Sequence, residues 1–343
     1  MLRKFCLKIA ICFLCLALVT FSTLSPVLAR GQVMGVHVMN HDEIYYAARL
    51  LNTDYNQDMW SFVVIPLPML DVHENKIYRW QHSFNRAKDL KITPIVRLMT
   101  RFCPELDAWE IPTRADIMSS FAFLSNLEWP NERKFIIVYN ETNHAAEWAG
   151  NIDPEEYARI LRFTALWARS EDNDFRILPA AMDLAAPNLP PYHMEAFTYL
   201  NRMIAYDPYV FDLIDYWNSH SYPNPAFSSP PTARGQNSLR GFIHELDWLK
   251  EKTGLERRVF ITETGWDVQP RFQNRLMQWY SYAVHNIWND ERVVAVIPFV
   301  LRGDPGPFSG FTLLDRYNNP TLQYIAFRSA ILSMDRYTTD VVW

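Results

Sequence analysis

The sequence contains the stretch Phe-Ile-Ile-Val-Tyr-Asn-Glu-Thr-Asn-His at residues 135–144. Its first half is a short run of β-branched and aromatic residues, which is typical of a strand buried on both faces. The run ends in the pair Asn140-Glu141. A carboxylate at the end of a buried strand is costly to desolvate unless it is paired or used. We therefore interpret Glu141 as a candidate functional residue.

A second stretch, far along the chain, has the same pattern. Residues 258–266 read Arg-Val-Phe-Ile-Thr-Glu-Thr-Gly-Trp, so that an apolar strand again has a glutamate, Glu263, at its carboxyl end. A single glutamate is most often a solvated surface charge. Two that both end apolar strands are harder to explain in that way, and we ask which fold brings them together.

Strand-like and helix-like patterns alternate along the chain after residue 30. The predicted strands are Val33–Met39, Phe62–Pro66, Ile92–Leu98, Phe135–Asn140, Arg176–Met182, Leu213–Ser219, Val259–Glu263 and Val293–Phe299. Helical patterns lie between them, at Tyr78–Leu90, Arg114–Leu127, residues 153–164, Tyr192–Ile204, residues 239–254, residues 276–287 and Thr321–Leu332. Asp153-Pro154 predicts a helix start and Gly254 a helix end.

Eight strands that alternate with helical patterns predict an α/β fold, a (β/α)8 TIM barrel. The rival is an open doubly wound sheet, which usually has a glycine-rich first turn. The first predicted strand here has no Gly-x-Gly-x-x-Gly after it. We find no linker or internal repeat and predict a single domain.

The composition narrows the class of protein. The chain has 343 residues, of which 49% are hydrophobic and 21% charged, so it can bury a sizeable core. The formal net charge of −5 argues against a nucleic-acid partner. The 12 tryptophans suit either core packing or a cleft that stacks sugar rings.

The N-terminus has the pattern of a targeting segment. Arg3, Lys4 and Lys8 precede an apolar run at residues 9–21, and small residues near Ala29 suit a cleavage site. We predict a secretory signal at residues 1–29, or else an uncleaved membrane anchor, and a catalytic domain at 30–343. Three of the four cysteines fall in this segment, so that only Cys103 would remain and no internal disulfide could form.

The barrel places both glutamates on one rim, because the carboxyl ends of all its strands meet there. Two carboxylates at such a rim can cleave a glycosidic bond. One protonates the leaving oxygen, and the other stabilises the positively charged carbon as a nucleophile or activates water as a base. The separation of the two carboxyl groups distinguishes these two mechanisms.

Three motifs in this order resemble the clan A glycoside hydrolases, retaining (β/α)8 enzymes such as families 5 and 39. They are Asn140-Glu141, His220-Ser221-Tyr222 and Thr262-Glu263-Thr264-Gly265, and the agreement in strand order covers residues 33–333. The resemblance implies that Glu141 is the acid/base and Glu263 the nucleophile. It also implies substrate-binding roles for Asn140, at the sugar 2-hydroxyl, and for His220, and a hydrogen bond from Tyr222 to Glu263.

This chain departs from the clan pattern at three places. Thr142 stands where many members have proline. Phe299 would stand in for a tryptophan that many members carry at the end of strand eight. Many members have an arginine near strand two, for which Arg97 in strand three is only a loose substitute.

Further residues at the predicted rim are weaker candidates. His37, at the end of strand one, and Trp266 and Trp148, beyond strands seven and four, could contact or stack on a sugar, although core packing fits them equally well. The loop at residues 302–310 is well placed to border the cleft.

We therefore predict a secreted, monomeric, retaining glycoside hydrolase that acts on a β-linked poly- or oligosaccharide, without a metal or organic cofactor. Its membrane contact would be through the N-terminal segment alone, if that segment is uncleaved. A non-catalytic carbohydrate-binding barrel and a transglycosylase are the alternatives. A metal-dependent hydrolase is disfavoured because strand one has a single histidine rather than a His-x-His pair.

Overall fold

The structure is a computed structural model that describes residues 34–52, 59–268 and 270–335. The predicted signal at residues 1–29 and Val33, the start of the first predicted strand, lie outside the described residues. No helix within the described ranges is long and apolar enough to cross a membrane.

The described residues form a ring of eight strands. The strands, numbered β1 to β8, are Gly35–His37, Ser61–Leu67, Ile92–Leu98, Lys134–Val138, Phe175–Pro179, Trp217–His220, Val259–Thr264 and Val293–Pro298. β1 to β5 make one parallel sheet in chain order, and β6 to β8 make a second. Parallel bridges join the sheets at both junctions, from Met34 to Val296 and from Asp183 to His220. The predicted (β/α)8 barrel is confirmed.

Helices surround this ring. Those of the described ranges, numbered α1 to α9, are Ile44–Leu51, Met69–His73, Ile77–Asp89, Arg114–Ser125, Pro154–Glu171, Ala196–Tyr206, Gly241–Thr253, Leu276–Asn286 and Leu322–Asp335. Short 3-10 helices are found at His41–Glu43, Ala145–Glu147, Val210–Leu213, Pro270–Arg275 and Ser309–Phe311. After β3, a small hairpin pairs Phe102–Cys103 with Ala108–Trp109.

The predicted helix ends have the expected capping contacts. The Asp153 carboxylate accepts a hydrogen bond from the Glu156 amide at 2.8 Å, and Pro154 is the first residue of α5. Gly254 ends α7 with a φ of +75°, a conformation that glycine adopts without a steric penalty. Local sequence therefore fixes the boundaries of these two helices.

Alternate strand residues face two different cores. In β4, Phe135 and Ile137 belong to a cluster inside the barrel, together with residues such as Ile95 of β3. Ile136 and Val138 belong to the larger cluster between the strands and the helices. This alternation follows from the two-residue period of a strand, and it explains why the strands are apolar on both faces.

Two predicted elements begin about four residues later in the structure than the sequence indicates. The sixth strand begins at Trp217 rather than Leu213, because residues 210–213 form a 3-10 helix instead. α6 begins at Ala196 rather than Tyr192, because the Glu195 carboxylate accepts hydrogen bonds from the Phe197 and Thr198 amides and so caps the helix there.

Candidate active site

A cleft of about 520 Å³ opens at the carboxyl ends of the strands. The carboxyl ends of β3, β4 and β5 and the segments after them contribute mainly polar side chains, namely Arg97, Glu110, Asn140, Glu141, His144, Glu147 and Asp183. Apart from Glu263, those that follow β6, β7 and β8 are aromatic or proline, namely Tyr222, Phe227, Phe299, Pro307, Phe308 and Phe311. The loop at residues 302–310 therefore borders the cleft, as predicted.

The two predicted catalytic carboxylates lie close together in this cleft. Glu141, His220 and Glu263 each place a side-chain oxygen or nitrogen within 4.8 Å of the others. His220 Nδ1 lies 2.7 Å from Glu141 Oε1 and 3.9 Å from Glu263 Oε2, so the imidazole bridges the two carboxylates. Glu141 itself has a φ of +26°, in the left-handed region that side-chain-bearing residues rarely adopt.

Arg97 is the principal site residue that the sequence interpretation undervalued. Its Nη1 donates to Glu263 Oε1 and to Asn140 Oδ1, each at 2.8 Å. Arg97 lies two residues after Ile95, on the same inward face of β3. A charged residue that interrupts the inward face of an otherwise apolar strand, near its carboxyl end, was the signal that could have identified it.

Tyr222 makes the contact with Glu263 that the resemblance implies. Its hydroxyl donates to Glu263 Oε2 at 3.1 Å. Burial raises the pKa of Glu263, but the positive charges of His220 and Arg97 outweigh burial and hold this pKa below its usual value. Burial and the nearby Glu263 charge raise the pKa of Tyr222 well above 10, so the tyrosine keeps its proton as a donor. Glu263 is consequently an ionised acceptor.

His220 is buried and carries a shifted pKa. Burial lowers the pKa of His220, whereas the charges of Glu263 and Glu141 raise it. The net effect is a pKa of His220 above its usual value. A protonated imidazole here compensates part of the negative charge of the carboxylate pair.

His37 does not line the cleft as a substrate contact. It is fully buried, its Nε2 lies 3.8 Å from Glu263 Oε1, and its ring packs edge-on against Phe299. Burial and the charge of Arg97 lower the pKa of His37 to about 3, so the ring is neutral. The prediction that His37 reaches a sugar hydroxyl does not fit this position, because the ring is fully buried and is not among the residues that line the cleft.

The two tryptophans have different surroundings from those predicted for stacking platforms. Trp266 is 1% exposed, packs against Trp279 and Tyr280, and donates through Nε1 to the Ser229 carbonyl at 2.8 Å. Trp148 has no exposed surface. Both rings are core residues, and neither presents an open face. Trp148 and Phe299 both border the cleft, but Phe299 is 8% exposed whereas Trp148 has no exposed surface.

Two further ionisable residues, His144 and Glu147, line the cleft after β4. His144 Nε2 lies 3.0 Å from Asp183 Oδ2; burial lowers the pKa of His144, but this contact outweighs it and raises the pKa. Glu147 lies in the 3-10 helix after β4. Burial and the charge of Glu141 raise the pKa of Glu147 to about 7. Their positions depend on loop conformations, which residue periodicity does not predict.

The cluster of Glu141, His220 and Glu263 has the residue types of a metal site. The guanidinium of Arg97, however, already contacts the Glu263 carboxylate. A divalent cation would have to bind beside this fixed positive charge, which is unfavourable. The arrangement is better suited to proton transfer and nucleophilic attack than to metal coordination.

No protein-family model matches the chain, and no curated protein matches it in sequence. Solved structures do match it, and the fold they share with the chain is that of the clan A glycoside hydrolases. This likeness confirms, at the level of fold, the resemblance that the three motifs indicate.

Three of these structures illustrate the likeness, each at 14% identity. A monomeric β-xylosidase from Caulobacter crescentus CB15 has a TM-score of 0.61, with 87% of this chain and 67% of that chain covered. A family 39 glycoside hydrolase from Bacteroides cellulosilyticus WH2 has 0.60, with 88% and 64% covered. A triple mutant of an endo-β-1,4-glucanase from Xanthomonas axonopodis pv. citri has 0.57, with 88% and 99% covered. The chain thus spans about two thirds of the first two.

Proposed function

We propose that this protein is an exported, retaining glycoside hydrolase that cleaves β-linked bonds of a poly- or oligosaccharide. The observation that carries the proposal is that a carboxylate oxygen of Glu141 lies within 4.8 Å of a carboxylate oxygen of Glu263 at the rim of the barrel. Each of the two carboxylates has its own polar partners. Retaining enzymes hold their two carboxyl groups about 5–5.5 Å apart, whereas inverting enzymes need about 6.5–9.5 Å to admit a water. The observed approach favours the retaining arrangement.

In the first step, the Glu263 carboxylate attacks the anomeric carbon, while Glu141 transfers to the glycosidic oxygen the proton that it shares with His220 Nδ1. The C–O bond to the leaving group breaks, and a glycosyl ester of Glu263 forms. Arg97, Tyr222 and His220 support the nucleophilic role, because they keep Glu263 ionised. Tyr222 and Arg97 also hold the two carboxylate oxygens in place.

In the second step, water attacks the same carbon. Glu141, now ionised, accepts a proton from that water, and the ester bond to Glu263 breaks. The acid/base is thereby restored for the next cycle. The hydrogen bond between His220 Nδ1 and Glu141 Oε1 orients this carboxyl group in the free protein.

The substrate class is proposed from the fold relatives together with the cleft. Two relatives are described as β-xylosidases or family 39 enzymes and another as an endo-β-1,4-glucanase. The aromatic residues that line one part of the cleft provide apolar surface suited to sugar rings. Export rests on the N-terminal sequence, and a monomeric state on the described state of one relative.

The decisive experiment measures turnover and product stereochemistry. Purified protein would be incubated with 4-nitrophenyl β-xyloside, 4-nitrophenyl β-glucoside and β-1,3- and β-1,4-linked glucan oligosaccharides, and the first-formed anomer read by proton NMR. We expect β-anomeric products. An α-anomer would exclude retention, and glycosyl transfer products in place of reducing sugar would establish a transglycosylase.

Substitutions then test the assigned roles. Glu141→Gln and Glu263→Gln are expected to reduce kcat by about 10²–10⁴-fold with the fold intact by circular dichroism. The control is Glu128→Gln, an exposed glutamate after α4, which should leave kcat unchanged. With azide, Glu141→Ala should give a β-glycosyl azide and Glu263→Ala an α-glycosyl azide. Full turnover in both Gln variants, or binding of the glycans without turnover by the wild type, would refute the proposed enzyme.

A further inference from the structure

Trp109 is an aromatic residue of the cleft that the proposed reaction does not use. Two tryptophans, Trp109 and Trp148, are among the residues that line the cleft, and of these two only Trp109 is partly exposed. Trp109 is the last residue of the hairpin after β3, in which Phe102–Cys103 pairs with Ala108–Trp109. It therefore presents an indole ring on the side of the cleft that is otherwise mainly polar.

The backbone around Trp109 is held at several points. The Ala149 amide donates to the Trp109 carbonyl at 2.7 Å, which joins the hairpin to the segment after β4. At the base of the hairpin, the Glu110 amide donates to the Arg101 carbonyl at 2.8 Å. Asp107, in the turn, has a φ of +49°, in the left-handed region that aspartate enters more readily than most residues. A ring on such an anchored backbone loses little conformational freedom when a ligand binds.

Phe102 extends the aromatic surface of Trp109. The centroids of the two rings lie 5.4 Å apart and their planes are inclined by 71°, which is an edge-to-face contact. Phe102 itself is 45% exposed. Because Trp109 lines the cleft, the two rings form an exposed apolar surface that is continuous with the cleft.

Polar groups of opposite charge flank this surface. Arg101 Nε donates to Glu110 Oε2 at 2.9 Å, and both side chains remain partly exposed. The ion pair has no net charge, yet it offers further N–H donors and acceptor lone pairs. A neutral pyranose ring has the complementary groups, because its C–H groups form an apolar face and its hydroxyls surround that face.

The aromatic surface is separate from the reaction centre. The ring contact of Trp109 is with Phe102, and its carbonyl accepts from Ala149. Within the described part of the chain, Trp109 forms no hydrogen bond with Glu141 or Glu263, whose partners are other residues. A sugar whose glycosidic bond is cleaved must lie against those two carboxylates. The indole is therefore available to another unit of the same glycan chain.

We propose that Trp109, together with Phe102, stacks on a further pyranose ring of the substrate, outside the reaction centre, while Arg101 and Glu110 bind its hydroxyl groups. The substrate is accordingly a neutral glycan chain of several units rather than a single sugar with a small aglycone. This inference rests on the proposed glycosidase function and specifies its substrate class.

The test is the dependence of kcat/KM on the length of the glycan. The substrates are the β-1,3- or β-1,4-linked oligosaccharides, from disaccharide to hexasaccharide, of the series that the wild type cleaves. We expect kcat/KM of the wild type to rise with length. The ratio of kcat/KM for the hexasaccharide to that for the disaccharide should fall by about 10- to 100-fold in Trp109→Ala.

Two variants of the same hairpin serve as controls. Trp109→Phe keeps an aromatic ring and should retain most of the length dependence. Leu106→Ala changes an exposed apolar residue of the turn that has no ring, and it should leave the length dependence unchanged.

Binding without turnover separates stacking from an effect on the reaction. In a Glu263→Gln background, calorimetry measures Kd for the same oligosaccharides. Trp109→Ala should weaken binding of the hexasaccharide by about 10- to 100-fold more than binding of the disaccharide, and Phe102→Ala should have a smaller effect in the same direction.

Each result decides the assignment. A length dependence that is absent from the wild type, or equal in the wild type and Trp109→Ala, would overturn the stacking role and leave the proposed function intact. An equal loss in Trp109→Phe and Trp109→Ala, with a lowered melting temperature in both, would assign Trp109 to the stability of the hairpin instead. If no glycan is cleaved or bound by any of these proteins, the proposed function fails and the stacking site fails with it.

Discussion

The Arg97 guanidinium lies 2.8 Å from Glu263 Oε1, although the two residues are 166 positions apart and come from β3 and β7. The contact crosses the barrel, from one parallel sheet to the other. The positive charge of Arg97 stabilises the ionised form of Glu263 that the proposed mechanism requires. Arg97 also holds the side-chain amide of Asn140 in place.

The first prediction concerns this arginine. Arg97→Gln removes the positive charge, so the pKa of Glu263 should rise and the carboxylate should become protonated at a higher pH. We expect the acidic limb of the kcat/KM profile to move upward by about 1 to 3 pH units, with a lower maximum. Arg97→Lys keeps the charge and should keep the position of that limb. An unmoved limb in Arg97→Gln would show that Glu263 does not depend on Arg97.

The second prediction concerns the Tyr222 hydroxyl, which donates to the other oxygen of Glu263. Tyr222→Phe removes the hydrogen bond but keeps the ring, which packs against Phe227 and Phe311. A hydrogen bond to a charged acceptor contributes about 1.5–3 kcal/mol, so kcat/KM should fall by about 10- to 100-fold. The melting temperature should change little. Tyr282→Phe, at a partly exposed site on α8, serves as the matched control.

The third prediction concerns a buried acid that the reaction does not use. Glu245 of α7 is fully buried behind β6, and burial raises its pKa to about 7. The folded protein therefore keeps this proton at a pH where the unfolded chain has lost it. The free energy of unfolding should fall as pH rises from about 4.5 to about 7, by up to about 3 kcal/mol, and then level off.

Glu245→Gln removes this titration. Its free energy of unfolding relative to the wild type should increase across that pH interval, as measured by urea denaturation at several pH values. The neighbouring groups are Ser219, Trp217 and His220. Since His220 also titrates, the comparison should be repeated in a His220→Gln background. If the difference in free energy of unfolding between Glu245→Gln and the wild type were the same at pH 4.5 and pH 7, the raised pKa of Glu245 would be contradicted.

The fourth prediction distinguishes the two interpretations of Trp266. As a core residue it should matter for stability, and Trp266→Phe should lower the free energy of unfolding by about 1–3 kcal/mol with KM changed less than about twofold. The same substitution at a stacking platform would instead raise KM and leave stability nearly unaltered. Phe299→Leu, at a residue that lines the cleft, is the comparison and should raise KM.

The barrel and its two glutamates were predictable because they depend on short-range patterns. A strand such as Ile92–Leu98 was predicted with its observed bounds, since an apolar run between polar segments specifies both its type and its length. Glu141 and Glu263 stood out because the strands that carry them end at the same rim.

The positions of the remaining site residues depend on how the chain turns after each strand, which the sequence pattern does not specify. Trp266 follows Gly265, whose φ of +130° turns the chain so that the indole packs among helices instead of facing the cleft. Glu147 reaches the cleft through a 3-10 turn held by the hairpin after β3. His37 was placed on the correct strand, but its depth below Glu263 is set by the register of β1 on β2. These are tertiary properties.

The division of the barrel into two sheets has a consequence for assembly. Arg97 lies in a strand of the first sheet, and Asn140 and Glu141 follow another. His220 and Glu263 lie in strands of the second sheet, and Phe299 follows its last strand. Glu141 and Glu263 come from different sheets, so the proposed catalysis requires that both junctions, at Met34–Val296 and Asp183–His220, have formed. If the proposed function is correct, turnover reports closure of the ring: a chain cut between β5 and β6 would be active only after its two pieces associate.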